Sequence, residues 1–273
     1  MSLFHVSRNL VVRLISVSVM LPSFLAILLF AGWPFHLFML VSYSWTIYEW
    51  RVMLNRQEKK WVSAAMHIAL ALVWAVAIYV NIPFAVIVCL SLSLVLMLAF
   101  RLAKIERPVL LSMGISFLGS TMLAFIHLRE WAGFSLSVSI CAIVWVTDVA
   151  AFFTGKMLRG AKLAPDISPS KTWTGFIGGL CFAAVMAYGC AWLFNAQKPW
   201  VVVGMGLGLS LAAHCGDLFE SWVKRRAGVK DSGILIPGHG GLLDRVDGLI
   251  MAMVLCAIAL WAVDFDLSWW VKE

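Results

Sequence analysis

Charged residues are scarce in this sequence. Only 13% of its 273 residues are Asp, Glu, Lys or Arg, whereas roughly a quarter are charged in an ordinary soluble domain. Hydrophobic residues make up 62% of the chain, and the mean hydropathy is +0.93. This composition excludes a soluble globular protein. It predicts an all-α, polytopic integral membrane protein, because a helix satisfies its own backbone hydrogen bonds in lipid.

The sequence also lacks a cysteine motif. Six cysteines are present, but no two form a C-x-x-C pair, and all lie in or beside apolar stretches: Cys89, Cys141, Cys181, Cys190, Cys215 and Cys256. We therefore expect small packing residues rather than disulfides or a zinc site.

Long polar linkers are missing as well, since apolar stretches follow one another closely. About nine are long enough to cross a membrane: 10–31, 35–50, 61–80, 83–100, 109–127, 134–154, 174–194, 200–216 and 247–263. With the N-terminus inside, all of the 21 lysines and arginines except Arg129, Lys198 and Lys272 lie on the cytoplasmic side. The positive-inside rule therefore predicts an N-in, C-out topology.

The net charge of +7 does not indicate nucleic acid, because the basic residues lie in short loops between apolar stretches. That placement favours membrane orientation and binding of membrane lipid or a nucleotide. Glu49, Glu58 and Glu106 stand beside basic residues and are interpreted as solvated ion pairs. The run Gly204, Gly206 and Gly208 is interpreted as a close helix-packing surface.

The longest polar passage runs from residue 214 to residue 248. Carboxylates alternate there with cations, and glycines surround one histidine: Asp217, Lys224, Arg225, Arg226, Lys230, Asp231, Gly238, His239, Gly240, Gly241, Asp244, Arg245 and Asp247. Oxygen ligands suit a hard cation such as Mg²⁺, cations bind phosphate oxygens, and glycines let backbone N–H groups approach an anion. The passage predicts a metal and polyphosphate site.

Two further features precede this passage. Asp148 lies inside the sixth apolar stretch, where a carboxylate is costly and indicates function; the alternative is a packing acid paired with Lys156. Ser168, Lys171 and Thr172 open the seventh stretch, where hydroxyls and free N–H groups at a helix start favour an anion site. The alternative there is an ordinary helix cap.

These residues carry a resemblance to a known family. The pattern Ser221, Lys224-Arg225, Lys230-Asp231, Gly233, Pro237, His239-Gly240-Gly241, Asp244-Arg245 and Asp247 resembles the signature of phosphatidate cytidylyltransferases. The segment from Ser168, which reads SPSKTWTG, resembles a second family passage.

The resemblance implies transfer of CMP from CTP to phosphatidate, giving CDP-diacylglycerol and pyrophosphate. It also implies Mg²⁺, with or without a second cation, a homodimer, and a place in the bacterial inner membrane with the active site facing the cytoplasm. We expect residues 1–132 to hold about five spans. Residues 133–273 form the expected catalytic half, with a cytoplasmic signature loop at 217–247.

The leading hypothesis assigns Mg²⁺ to Asp217 and Asp244, supported by Asp247 and joined by Asp148; the alternative for each is a structural ion pair. Lys224, Arg225 and Lys230 are expected to bind phosphate oxygens. Arg245 either clamps a phosphate or orients Asp244, and His239 either donates to a phosphate or shapes its turn. Asp231 is either a ligand or a partner of Lys230, and a supporting role is favoured. Ser168, Lys171, Thr172, Gly240 and Gly241 are the expected anion-binding residues.

Some positions depart from the family pattern, namely Phe152, Ser170, Thr174 and Arg226. They leave room for a CTP-dependent transferase that acts on another lipid phosphate or a prenol. An ion-coupled transporter, with Asp148, Asp217 and Asp244 along a cation path, is a further alternative. It is disfavoured because the charges gather at one face and no internal repeat is evident.

Overall fold

The computed structural model describes residues 18, 22–55, 59–233, 240–262 and 268–270. Its elements are α1 (Trp33–Leu54), α2 (Lys60–Tyr79), α3 (Ile82–Leu102), α4 (Pro108–Leu158), β1 (Lys162–Ala164), β2 (Ser168–Thr172), α5 (Trp173–Leu193), α6 (Pro199–Ala227) and α7 (Leu243–Ala262). Residues 22–29 are also helical.

Six helices of the described part, α2 to α7, are long and apolar enough to cross a membrane. The prediction of a helical, polytopic membrane protein is therefore confirmed. The count of nine spans and the N-in, C-out topology stay predictions. Half of the first predicted span, 10–31, lies outside the described residues.

The fifth and sixth predicted spans belong to one 51-residue helical element, α4. Gly133 interrupts it with φ 78 and ψ −175, a left-handed conformation that a side chain would strain. The two arms, 108–132 and 134–158, are each roughly 37 Å long at the α-helical rise. Each arm is therefore long enough to span a bilayer, and the break falls at the predicted boundary between the two halves.

A small β-hairpin departs from the all-helical expectation. Strands β1 and β2 pair antiparallel, with Lys162 opposite Thr172 and Ala164 opposite Ser168. The extended β2 leads directly into α5, where the Thr172 hydroxyl accepts a hydrogen bond from the Gly175 N–H at 3.1 Å. The hairpin therefore places Lys171 and Thr172 at the entrance of a helix, as an N-cap requires.

Helices α6 and α7 approach each other closely at Gly216. A Cβ atom there would lie 2.6 Å from the carbonyl oxygen of Asp247 and 3.1 Å from the Cβ of Met251. Only glycine permits this approach, which brings Asp217 beside the start of α7. The predicted packing role holds for Gly206, where a Cβ would lie 2.5 Å from Ala187.

That packing prediction is wrong for Gly204 and Gly208. A Cβ at either position would meet no atom of the described residues within 4 Å. Gly204 and Gly208 therefore have no packing role among the described residues, although Gly206 between them packs against α5.

We expect Gly216→Ala to destabilise the protein, because the added methyl group must push α6 away from the α7 backbone. Overpacking of this kind costs about 1–3 kcal/mol. Thermal unfolding in detergent measures the effect, and Gly204→Ala on the same helix is the matched control. Equal melting temperatures for the two variants would contradict the close packing.

Candidate active site

A polar cavity of about 760 Å³ lies where α4, the hairpin, α5, α6 and α7 meet. Carboxylates and cations line it together: Asp148, Asp217, Asp244, Asp247, Lys156, Arg159, Lys162, Lys171 and Arg245. The structure thus brings the four predicted metal-binding aspartates and two of the predicted cations to one cavity.

An ion pair between Lys171 and Asp217 joins the hairpin to α6. Both side chains are largely buried and line the cavity. The Ser221 hydroxyl donates to Asp217 Oδ1 at 3.5 Å. The pair fixes β2 against α6 and leaves the charge of Lys171 neutralised by a carboxylate.

Asp244 is the most heavily hydrogen-bonded carboxylate of the site. It accepts from Lys224 Nζ at 2.8 Å, from the Gly241 N–H at 2.9 Å and from the Ser232 N–H at 3.0 Å. Its side chain is 7% exposed. Because Ser232 and Gly241 flank residues 234–239, Asp244 ties together the two described ends of the signature loop.

Lys224 binds two carboxylates at once. Besides Asp244, its ammonium group lies 3.0 Å from Glu220 Oε2 one turn earlier on α6. Lys224 does not line the cavity. Its positive charge is therefore engaged within the protein, and its role in phosphate binding stays a prediction.

Glu220 is a buried residue of the site that the sequence interpretation missed. Its side chain is 1% exposed, and its Oε1 atom has no hydrogen-bond partner among the described residues. It lies near enough to Asp247 for the two carboxylates to repel each other. From sequence, the spacing of Glu220 and Lys224 looks like an ordinary pair on a solvated helix face.

The prediction that Glu49 forms a solvated pair is wrong. Glu49 is 2% exposed and accepts hydrogen bonds from the N–H groups of Leu242 at 3.0 Å and Leu243 at 2.8 Å. The Trp45 indole N–H donates to it at 3.1 Å, and the Ser232 hydroxyl at 3.5 Å. Glu49 thus caps the N-terminus of α7, where a carboxylate is favourable.

A signal for Glu49 was present in the sequence. It lies inside the predicted span 35–50, as Asp148 lies inside another, and an acid within an apolar stretch indicates function. Its neighbour Trp50 is fully buried and donates its indole N–H to the Leu110 carbonyl at 2.9 Å. Trp50 therefore anchors this end of α1 to α4 and holds Glu49 in place.

Besides Lys224, three predicted catalytic residues lie away from the cavity. Arg225 is exposed, and its Nε donates to the Ile167 carbonyl in the hairpin turn at 3.3 Å. Lys230 and Asp231 are exposed and do not line the cavity. His239 lies outside the described residues, so its two interpretations stay open.

The predicted anion-binding residues separate into two groups. Lys171 and Thr172 line the cavity, whereas Ser168 is buried in β2 and does not. Gly240 and Gly241 do not line it either. They shape the loop around Asp244, and Gly240 adopts a left-handed φ of 86.

No group of three or more His, Cys, Asp or Glu side chains within 22–55, 59–233 and 240–262 lies close enough to hold a metal ion. A cation in the cavity would therefore depend on one or two carboxylates, completed by water and substrate phosphates, as Mg²⁺ often does.

The sequence model of the cytidylyltransferase family matches residues 11–263. The chain belongs to the cytidylyltransferase family. Its resemblance to phosphatidate cytidylyltransferases is confirmed by curated relatives of that name.

One such relative, from Brucella suis biovar 1 (strain 1330), is 49% identical over 144 residues, which cover 52% of this chain and 53% of the relative. Another, from Staphylococcus aureus (strain COL), is 41% identical over 150 residues, which cover 54% of this chain and 57% of the relative. The matched part thus spans about half the length of these relatives.

We expect Glu49→Gln to loosen the start of α7, because the amide loses the negative charge and one acceptor oxygen. Hydrogen bonds to a charged group contribute about 1.5–3 kcal/mol, so the Leu242 and Leu243 amides should exchange hydrogen roughly 10–100 times faster. Hydrogen-exchange mass spectrometry measures this, with the exposed Glu106→Gln as control. Unchanged exchange of both amides would show that Glu49 does not fix the loop.

Proposed function

We propose that this chain is a phosphatidate cytidylyltransferase, which makes CDP-diacylglycerol and pyrophosphate from CTP and phosphatidate. The observation that carries the proposal is the cavity at the ends of membrane-spanning helices, where carboxylates and cations face one space. Such a cavity can accommodate a nucleoside triphosphate and the headgroup of a lipid. Family membership and the names of the relatives support the same substrates.

The reaction follows from this arrangement. An oxygen of the lipid phosphate attacks the α-phosphorus of CTP and forms a new P–O bond. The bond from the α-phosphorus to the oxygen that bridges it to the β-phosphorus breaks, and pyrophosphate leaves with that electron pair. A phosphate oxygen is already a nucleophile, so the protein contributes positioning and charge stabilisation rather than a covalent step.

The carboxylates of the cavity fit Mg²⁺. Asp148, Asp217 and Asp247 offer only oxygen atoms, which Mg²⁺ prefers. Asp148, Asp217 and Asp247 lie close enough together for their negative charges to repel one another, and a cation would offset this repulsion. We propose that Asp217 and Asp247 hold the ion, with Asp148 nearby. Bound there, Mg²⁺ would neutralise charge on the phosphates.

Asp244 has a different part in this proposal. Lys224 and two backbone N–H groups already occupy its oxygens, and a cation could reach it only by displacing Lys224. Asp244 therefore orders the loop that precedes α7. Lys171 faces the cavity next to Asp217 and would contact a phosphate once a cation takes its place on that carboxylate.

The membrane setting supports a lipid acceptor. Phe152 lines the cavity and is 61% exposed on a helix that is apolar enough to cross the membrane. Phosphatidate would enter along this apolar side. We propose that the cavity opens to the cytoplasm of a bacterial inner membrane, where CTP is available, and that the enzyme is a homodimer, as the family resemblance implies.

The test is an assay of purified protein in detergent with phosphatidate, CTP and Mg²⁺, in which CDP-diacylglycerol and pyrophosphate are both quantified. Equal amounts of the two products are expected, and a chelator should abolish them. Asp217→Asn and Asp247→Asn should each lower kcat by roughly 100-fold or more, as removal of a charge-stabilising group does. Asp166→Asn, in the exposed hairpin turn, is the control.

Two results would contradict the proposal in different ways. Binding of CTP without either product would reject phosphatidate as acceptor and lead to other lipid phosphates and prenols. Full activity of both Asn variants would reject the proposed cation ligands while leaving the substrates in place.

A further inference from the structure

The cations that line the cavity fall into two classes. Lys171 is paired with Asp217, and Arg245 lies close enough to Asp148 for their charges to attract. Lys156, Arg159 and Lys162, by contrast, form no ion pair with any carboxylate of the described residues. These three residues, called the basic rim below, are the cavity's uncompensated positive charges.

The basic rim comes from a different part of the fold than the two proposed Mg²⁺ ligands. Lys156 lies in the last turn of α4, Arg159 is the C-cap residue that follows this helix, and Lys162 begins β1. Asp217 and Asp247 lie on α6 and α7. The two proposed ligands and the rim therefore reach the cavity from different segments of the chain, while Asp148 lies on α4 two turns before Lys156.

Arg159 has an unusual backbone conformation. Its φ and ψ are both 48, in the left-handed region, where glycine is the common residue at a helix end. Glycine instead occupies position 160, where its N–H donates to the Thr174 hydroxyl at 3.2 Å and a Cβ would lie 2.5 Å from Thr174. Glycine at position 159 would therefore relieve this strain while it removes a charge from the cavity.

The rim also lies beyond the apolar side of the cavity. Phe152 is one turn before Lys156 on α4, and the Lys156 ammonium lies 5.6 Å from the centre of its ring. Apolar lining and cations therefore follow each other along one helix. The apolar part of the cavity, near Phe152, can accommodate the lipid. The rim at the end of the helix carries the positive charge that the more highly charged polyphosphate requires.

We propose that the basic rim binds the β- and γ-phosphates of CTP and so holds the pyrophosphate that leaves. This inference rests on the proposed function. When the bond to the α-phosphorus breaks, negative charge grows on the oxygen that stays with the β-phosphate, and the rim neutralises it without releasing a carboxylate partner. The predicted phosphate-binding cation Lys224 could do so only by leaving Asp244 and Glu220 with uncompensated charge.

Arg159→Gly tests the proposal, because glycine relieves the backbone strain while it removes the charge. Lys104→Gly is the matched control: Lys104 is exposed, also has a left-handed φ of 51, and does not line the cavity. Steady-state kinetics should show KM for CTP raised about tenfold in Arg159→Gly, as loss of one charge-assisted contact predicts. KM for phosphatidate should stay unchanged, and Lys104→Gly should match the wild type.

A second measurement uses inorganic pyrophosphate as the probe. Its inhibition constant against CTP should rise about tenfold in Arg159→Gly and roughly 100-fold in the variant that combines Lys156→Gln, Arg159→Gly and Lys162→Gln. Melting temperatures of the variants show whether each is folded.

The outcomes separate this inference from the proposed function. Wild-type protein that makes no CDP-diacylglycerol refutes the proposed function. Active wild type with unchanged KM for CTP and unchanged pyrophosphate inhibition in folded rim variants refutes the rim. A rise in KM for phosphatidate instead of CTP assigns the rim to the lipid phosphate and also overturns the proposal.

Discussion

The carboxylate of Asp244 is the contact on which the rest of the site depends. It binds Lys224 and receives the N–H groups of Ser232 and Gly241, so it holds these two residues beside the start of α7. Glu49 then receives the first N–H groups of α7. Two buried acids, one from each half of the chain, thus fix the helix that carries Asp247. Loss of either would leave buried donors without acceptors, which is costly.

Three cations of the site make contacts within the protein itself. Lys224 neutralises Asp244 and Glu220, Lys171 neutralises Asp217, and Arg225 holds the hairpin turn. Such pairs order the site before substrate arrives, and preorganised charge is what lowers a barrier in phosphoryl-type transfer. In our proposal the β- and γ-phosphates are bound by other cations, those of the basic rim at the end of α4 and in β1.

The sequence predicted the helical membrane class, the family and the convergence of Asp148, Asp217 and Asp247, because apolar length and a long motif are local patterns. It did not predict that Glu49 caps α7. The hydrogen bond from the Leu242 N–H to Glu49 joins residues 193 positions apart. A local pattern cannot show which distant N–H groups an acid will meet. The sequence places Gly133 between two predicted spans. Only its backbone angles show that it interrupts one helical element. The positive-inside rule already accounts for Lys156, Arg159 and Lys162. For this reason the sequence does not indicate that they also bind phosphate.

The most direct test of this account is a structure with Mg²⁺ and a non-hydrolysable CTP analogue in a lipid nanodisc. The account predicts β- and γ-phosphate oxygens within hydrogen-bond distance of Lys156, Arg159 and Lys162, a cation on Asp217 and Asp247, and an intact Lys224–Asp244 pair. Phosphates bound to Lys224, with Asp244 released to the cation and the rim facing solvent, would contradict it.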